Sequence, residues 1–108
     1  MITKEMLDEI TSRLIAAYAP DEIYLFGSHA RGYGAPDSDV DLAVVLSTMT
    51  EPRHRLLARG LRALFDLEVG KDLVLYQRDE FQQLKNEKTS FAYQIVKTGK
   101  QIYAKTDA

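Results

Sequence analysis

The chain contains no cysteine, has no large excess of either charge sign and carries no long hydrophobic run. Without cysteine there are no disulfides, no thiolate nucleophile and no thiolate zinc site, which fits the reducing cytoplasm where the protein is expected to reside. Fourteen Lys and Arg against sixteen Asp and Glu leave a formal charge of −2. No whole-molecule field therefore draws it onto a phosphate backbone, and direct nucleic-acid binding is not expected. The longest wholly apolar run, residues 42–46, falls far short of the roughly 20 residues a membrane-spanning helix needs. The opening MITKEMLDEI mixes acids with apolar residues and has no signal-peptide core. No membrane partner is expected.

At 108 residues, 45% hydrophobic and 28% charged, the composition is that of an ordinary globule. It predicts a single domain over residues 1–108 with room for one modest core. Ile2, Met6, Leu7, Ile10, Leu14 and Tyr18 recur at helical spacing before Pro20, predicting an amphipathic helix over 3–18. Residues 22–26 (EIYLF) read as a strand that Gly27 breaks into a tight turn. A short helical turn around residues 29–31 then gives way to a loop marked by Gly32, Gly34 and Pro36. Residues 39–46 read as a strand buried on both faces whose first residues emerge at an edge.

After Pro52, the spacing of Leu56, Leu57, Leu61, Leu64 and Phe65 predicts a second helix. Its Arg55, Arg59 and Arg62 form a basic stripe, a solvated face or a surface for an acidic partner. Residues 72–77 (DLVLYQ) predict a third strand, 79–88 a polar helix, and Thr89 or Ser90 the cap of a last helix ending at Gly99. Residues 101–104 add a possible fourth strand. The fold class is thus α/β, a small mixed sheet of three to four strands flanked by helices. The connection from Gly27 to Asp39 is barely the dozen residues that a parallel crossover requires, so an antiparallel first pair is at least as well supported as a parallel one.

The chemistry concentrates in GSHARGYGAPDSDVDLAVVL, where Gly27 and Ser28 precede Asp39 and Asp41 by a ten-residue spacer. A turn between a strand and a helical turn aims backbone N–H groups and a hydroxyl at an anion, although Ser28 would also serve as a simple cap. Gly27 would let a phosphate approach closely. Asp39 and Asp41 sit at strand spacing, so their carboxylates share one face. Two adjacent anions call for a cation between them, and magnesium is ordinarily held by one or two carboxylates while substrate phosphates and water complete its shell. Asp72 either faces the same cleft as a third carboxylate or stands as a solvated edge acid beside Lys71. Arg31 either reaches the phosphates from the side of Ser28 or is a surface arginine. His29 and His54 have no metal-ligand spacing, and neither is assigned a role.

This segment resembles the signature of the minimal nucleotidyltransferases, Gly-Ser, ten residues, Asp-x-Asp, a branch of the DNA polymerase β-like superfamily. The EIYLF strand, Asp72 and the closing VKTGKQIYA also look like members of that family. The resemblance implies transfer of a nucleoside monophosphate, AMP from ATP, to an acceptor hydroxyl with loss of pyrophosphate. It implies Asp39 and Asp41 as magnesium ligands, Asp72 as the third acid and metal ligand that activates the acceptor, and Gly27, Ser28 and Arg31 as holders of the triphosphate. Two ions about 3.5–4 Å apart would suit an in-line displacement. Longer relatives that modify aminoglycosides carry an extra helical domain that this sequence lacks. Short members resemble the antitoxin of a toxin–antitoxin pair, whose partner is a HEPN-domain ribonuclease silenced by adenylylation of a tyrosine. A noncatalytic antitoxin and a small-molecule nucleotidyltransferase, alone or as an oligomer, remain the alternatives. The ribonuclease's own Arg-to-His motif is absent here, so the toxin would be a separate chain.

Overall fold

The computed structural model describes residues 2–32, 34–35 and 38–106. Helix α1 (Lys4–Tyr18) starts where the Thr3 hydroxyl accepts the Met6 N–H at 3.1 Å, and it buries Ile10 and Leu14. It ends at Ala19, in the left-handed region (φ 46°), whose N–H donates to the Ile15 carbonyl. Strand β1 (Glu22–Phe26) follows, then β2 (Val40–Leu46), α2 (Arg53–Ala63), β3 (Lys71–Gln77), α3 (Arg78–Leu84), α4 (Phe91–Thr98) and β4 (Lys100–Ala104). Among the described residues no helix is long and apolar enough to cross a membrane. Pro36, expected in the first loop, lies outside the described residues.

The four strands form one mixed sheet in the order β3-β2-β1-β4. β1 runs antiparallel to both β2 and β4, and β3 runs parallel to β2 after the α2 crossover. The short first connection thus closes an antiparallel pair, while the longer one through α2 supports the parallel pair. Because side chains alternate along a strand, β2 serves two cores. Val40, Leu42, Val44 and Leu46 pack with α1 and α2, whereas Ala43 and Val45 join Tyr24, Tyr76, Phe81, Ala92 and Ile95 under α3 and α4. Asp41 has the parity of the second set and lies at its end.

One element departs from expectation. α3 stops at Leu84 rather than running to residue 88, because the chain turns there so that Ser90 can donate its hydroxyl proton to the Leu84 carbonyl while accepting the Tyr93 N–H at the start of α4. The basic stripe on α2 is partly neutralised internally, since Arg59 pairs with Glu51, while Arg55 and Arg62 are exposed.

Candidate active site

The strand register gathers the acids. In the parallel pair Asp41 stands opposite Asp72, and in the antiparallel pair it stands opposite Phe26, the last residue before the Gly27 turn. Asp41 is therefore flanked by the turn on one side and Asp72 on the other. Asp39 lies one residue before β2, exposed, where the Val40 N–H donates to the Gly70 carbonyl at 2.8 Å. Two glycines make room for the carboxylates. A Cβ on Gly27 would lie 2.2 Å from Asp41 Oδ2, and one on Gly70 would lie 1.9 Å from Asp39 Oδ1. The space at Gly27, expected to admit a phosphate, is occupied on this side by the Asp41 carboxylate.

The electrostatics are those of an uncompensated anionic site. Burial pushes the Asp41 carboxyl above the usual carboxylate range, and Asp72 and Asp39 push it further, with His29 pulling it back. Among the described residues, none of the three acids forms a hydrogen bond or an ion pair with a cationic side chain. Like charges gathered at the end of a strand otherwise built for burial cost stability, and such conflicts concentrate at functional sites.

The turn itself is a single helical bend, with Gly27 at φ 76° and the Arg31 N–H donating to the Gly27 carbonyl at 3.3 Å. Ser28 is half-buried there, and its hydroxyl makes no capping hydrogen bond among the described residues. Arg31 is exposed at the lip of an adjoining cleft. Sequence reasoning passed over His29, which is 3% exposed. Its Nδ1 accepts the Ile2 N–H at 2.9 Å, and Nε2 lies 3.0 Å from the Ser38 carbonyl. A backbone N–H can only donate and a carbonyl only accept, so these partners assign the ring proton to Nε2. Gly34 permits the arrangement, since a Cβ there would come within 2.3 Å of the ring.

His29 thus ties the chain's start to the residue before Asp39, a positioning role with no spacing signature in the sequence. His29→Ala leaves the half-buried Ser38 carbonyl and Ile2 N–H short of a partner, a loss of about 1–3 kcal/mol. Thermal denaturation should show a melting temperature several degrees lower, with His29→Gln falling less. An unchanged value for His29→Ala would remove the residue from this role.

Comparison with known proteins decides the family. The model of the family described as polymerase beta, nucleotidyltransferase, matches residues 8–108. The chain belongs to that family. This nucleotidyltransferase matches no curated protein. Among solved structures, it is similar in fold to a putative nucleotidyltransferase from Sulfolobus solfataricus, with a TM-score of 0.64 at 18% identity over 94% of this chain and 79% of that one. A toxin-antitoxin structure with AMP-PNP gives 0.57 at 24% identity, over 92% and 73% of the two chains. A mutant of the toxin-antitoxin MntA-HpeT gives 0.51 at 22%, over 98% and 76%.

Within the nucleotidyltransferase, no group of three His, Asp or Glu among the described residues stands in place to hold a metal ion by itself. The donor set nevertheless fits a hard cation that takes one or two carboxylates and draws its remaining ligands from substrate phosphates and water. All three acids offer only oxygen, and the upward push on Asp41 by its two neighbours is the repulsion such a cation would relieve.

Proposed function

We propose that this nucleotidyltransferase transfers AMP from magnesium-bound ATP to a tyrosine hydroxyl of a partner HEPN-type toxin, and acts as that toxin's antitoxin. The observation that carries the reading is the register that sets Asp41 between the Gly27 turn and Asp72, with Asp39 beside it and, among the described residues, no ion pair to any of the three. The toxin-antitoxin proteins of similar fold support the choice of partner, and the AMP-PNP held by one of them supports the choice of nucleotide.

Asp39 and Asp41 would hold the divalent cation, which supplies charge neutralisation at the phosphate undergoing substitution. Asp72, exposed on the far side of Asp41 from the turn, would accept the proton of an acceptor hydroxyl entering from the β3 edge. Gly27 and Ser28 present the start of a helical bend to the triphosphate, and Arg31 adds a guanidinium suited to bidentate phosphate contact.

The test mixes the purified protein with α-labelled ATP, magnesium and the protein encoded by the neighbouring reading frame. Label should appear on that partner, vanish with EDTA and fail to appear with Asp39→Asn. Label on an aminoglycoside with no partner present would select small-molecule chemistry instead. Protection from the toxin by an unlabelling Asp39→Asn variant would select inhibition by binding alone.

A further inference from the structure

The outer face of α2 is apolar along one side and basic along the other. The helix carries four arginines and no acid, in a chain whose net charge is −2. Arg55, Arg59 and Arg62 stand at i, i+4 and i+7 and form one row. Beside it runs a second row, Ala58 and Leu61 at i, i+3, which Phe65 extends through the tight turn after the helix, where its N–H donates to the Arg62 carbonyl at 3.3 Å. All six residues are exposed. Arg59 pairs with Glu51, while Arg55 and Arg62 form no ion pair among the described residues.

Phe65 is 84% exposed, more than any other large apolar side chain among the described residues, and Leu61 is 40% exposed. The backbone on both sides of Phe65 is held. Arg13 reaches from α1 to donate to the Ala63 carbonyl at 3.1 Å and to pair with Asp66, and Lys71 Nζ donates to the carbonyls of Leu64 and Leu67 at 2.7 and 2.8 Å. Leu64 is fully buried, which turns its neighbour outward. An aromatic ring presented on a fixed turn loses little freedom when a partner covers it, and aromatic rings and arginines carry much of the binding energy between proteins.

What covers this face follows from its chemistry. The arginine row calls for carboxylates and the apolar row for an apolar strip beside them, a pairing that an acidic amphipathic helix offers. A nucleic-acid backbone supplies charge but no apolar strip, and a second copy docked on the same face about a two-fold axis would set arginines against arginines. Position agrees. α2 packs against β3, and residues 64–70 lead from Phe65 to Gly70, beside Asp39, and on to Asp72 near the start of β3. A protein gripped along α2 therefore lies close to the edge from which the acceptor hydroxyl would enter.

We infer that this face of α2 docks the acceptor protein through an acidic amphipathic helix, with Phe65 as the apolar anchor and Arg55 and Arg62 as the charges that orient it. The inference rests on the transfer reading for its protein acceptor, and direct binding separates the two. Titration calorimetry without nucleotide would measure the affinity for the purified protein encoded by the neighbouring reading frame. Phe65→Ser, and Arg55→Glu combined with Arg62→Glu, should each weaken binding about tenfold or more, Phe65→Leu should largely retain it, and the fall of affinity with salt should flatten in the charge-reversed protein. With α-labelled ATP, KM for that acceptor should rise as binding weakens, while kcat, the affinity for magnesium-bound ATP and the melting temperature stay unchanged. Binding that weakens in this way with no label transferred retains the surface and overturns the transfer reading. Affinity unchanged in every variant overturns the surface and leaves the transfer reading in place. Failure of the unaltered protein to bind its neighbour overturns both. Self-association in analytical ultracentrifugation that these variants disperse, or binding to RNA or to phosphatidylserine-containing vesicles that they abolish, would give the face a different occupant and overturn the acidic helix.

Discussion

Replacing Asp41 by Asn is expected to abolish nucleotidyl transfer while making the metal-free protein more stable. The two effects have one cause. Asp41 is half-buried, faces Asp72 across the β2–β3 pair and follows Asp39 by two residues, and its carboxyl is pushed above the usual range by burial and by both neighbours. Asparagine keeps the size and removes the charge. Relief of a cross-strand like-charge contact is worth about 0.5 kcal/mol, and a domain of this length gains about 4–8 °C per kcal/mol. Differential scanning calorimetry in EDTA should therefore show a rise of about 2–4 °C. In the presence of magnesium and ATP the balance reverses. Charge neutralisation by a bound cation is worth several kcal/mol, and loss of about 4 kcal/mol of it lowers the rate about a thousandfold. A lower melting temperature for Asp41→Asn would mean that the carboxylate supports the fold. Undiminished label transfer would end its role in the site.

Much of this site was legible in the sequence because it is local. Asp39 and Asp41 share a face by strand parity, Gly27 and Ser28 end a strand that composition identifies, and the short connection to β2 favours the antiparallel pair that the sheet contains. The α/β class followed from the alternation of helical and strand periods, and β1 was bounded correctly because Asp21 and Gly27 punctuate a compact apolar run. What could not be read depends on register between distant segments. Asp72 could be read only as one of two alternatives or from the family resemblance, because the pairing of β3 with β2 is what brings it beside Asp41. Gly70 matters only because that same pairing brings it under Asp39. His29 looked inert because its partners, Ile2 and Ser38, are separated from it in sequence and are backbone groups without a side-chain signature.

The two glycines that shelter the carboxylates should respond differently to a methyl group, and the contrast tests whether their open space positions the acids. In Gly27→Ala the new Cβ would lie 2.2 Å from Asp41 Oδ2, and the residue would have to hold φ at 76°. The left-handed backbone alone costs a non-glycine residue roughly 1–2 kcal/mol, or about 4–16 °C of melting temperature. The displaced carboxylate adds a loss of about a hundredfold in transfer, the usual consequence of moving a reacting geometry by an ångström. Gly70 has no positive φ. Its Cβ would meet only Asp39 Oδ1, at 1.9 Å, with the next contact at 3.0 Å to the same carboxyl group. An exposed carboxylate can rotate away, so Gly70→Ala should leave the melting temperature nearly unchanged while transfer still falls by about a hundredfold. Equal thermal losses in the two variants would show that the backbone at residue 70 is under a constraint other than Asp39. Full activity in Gly70→Ala would show that Asp39 reaches its working position without the space this glycine leaves.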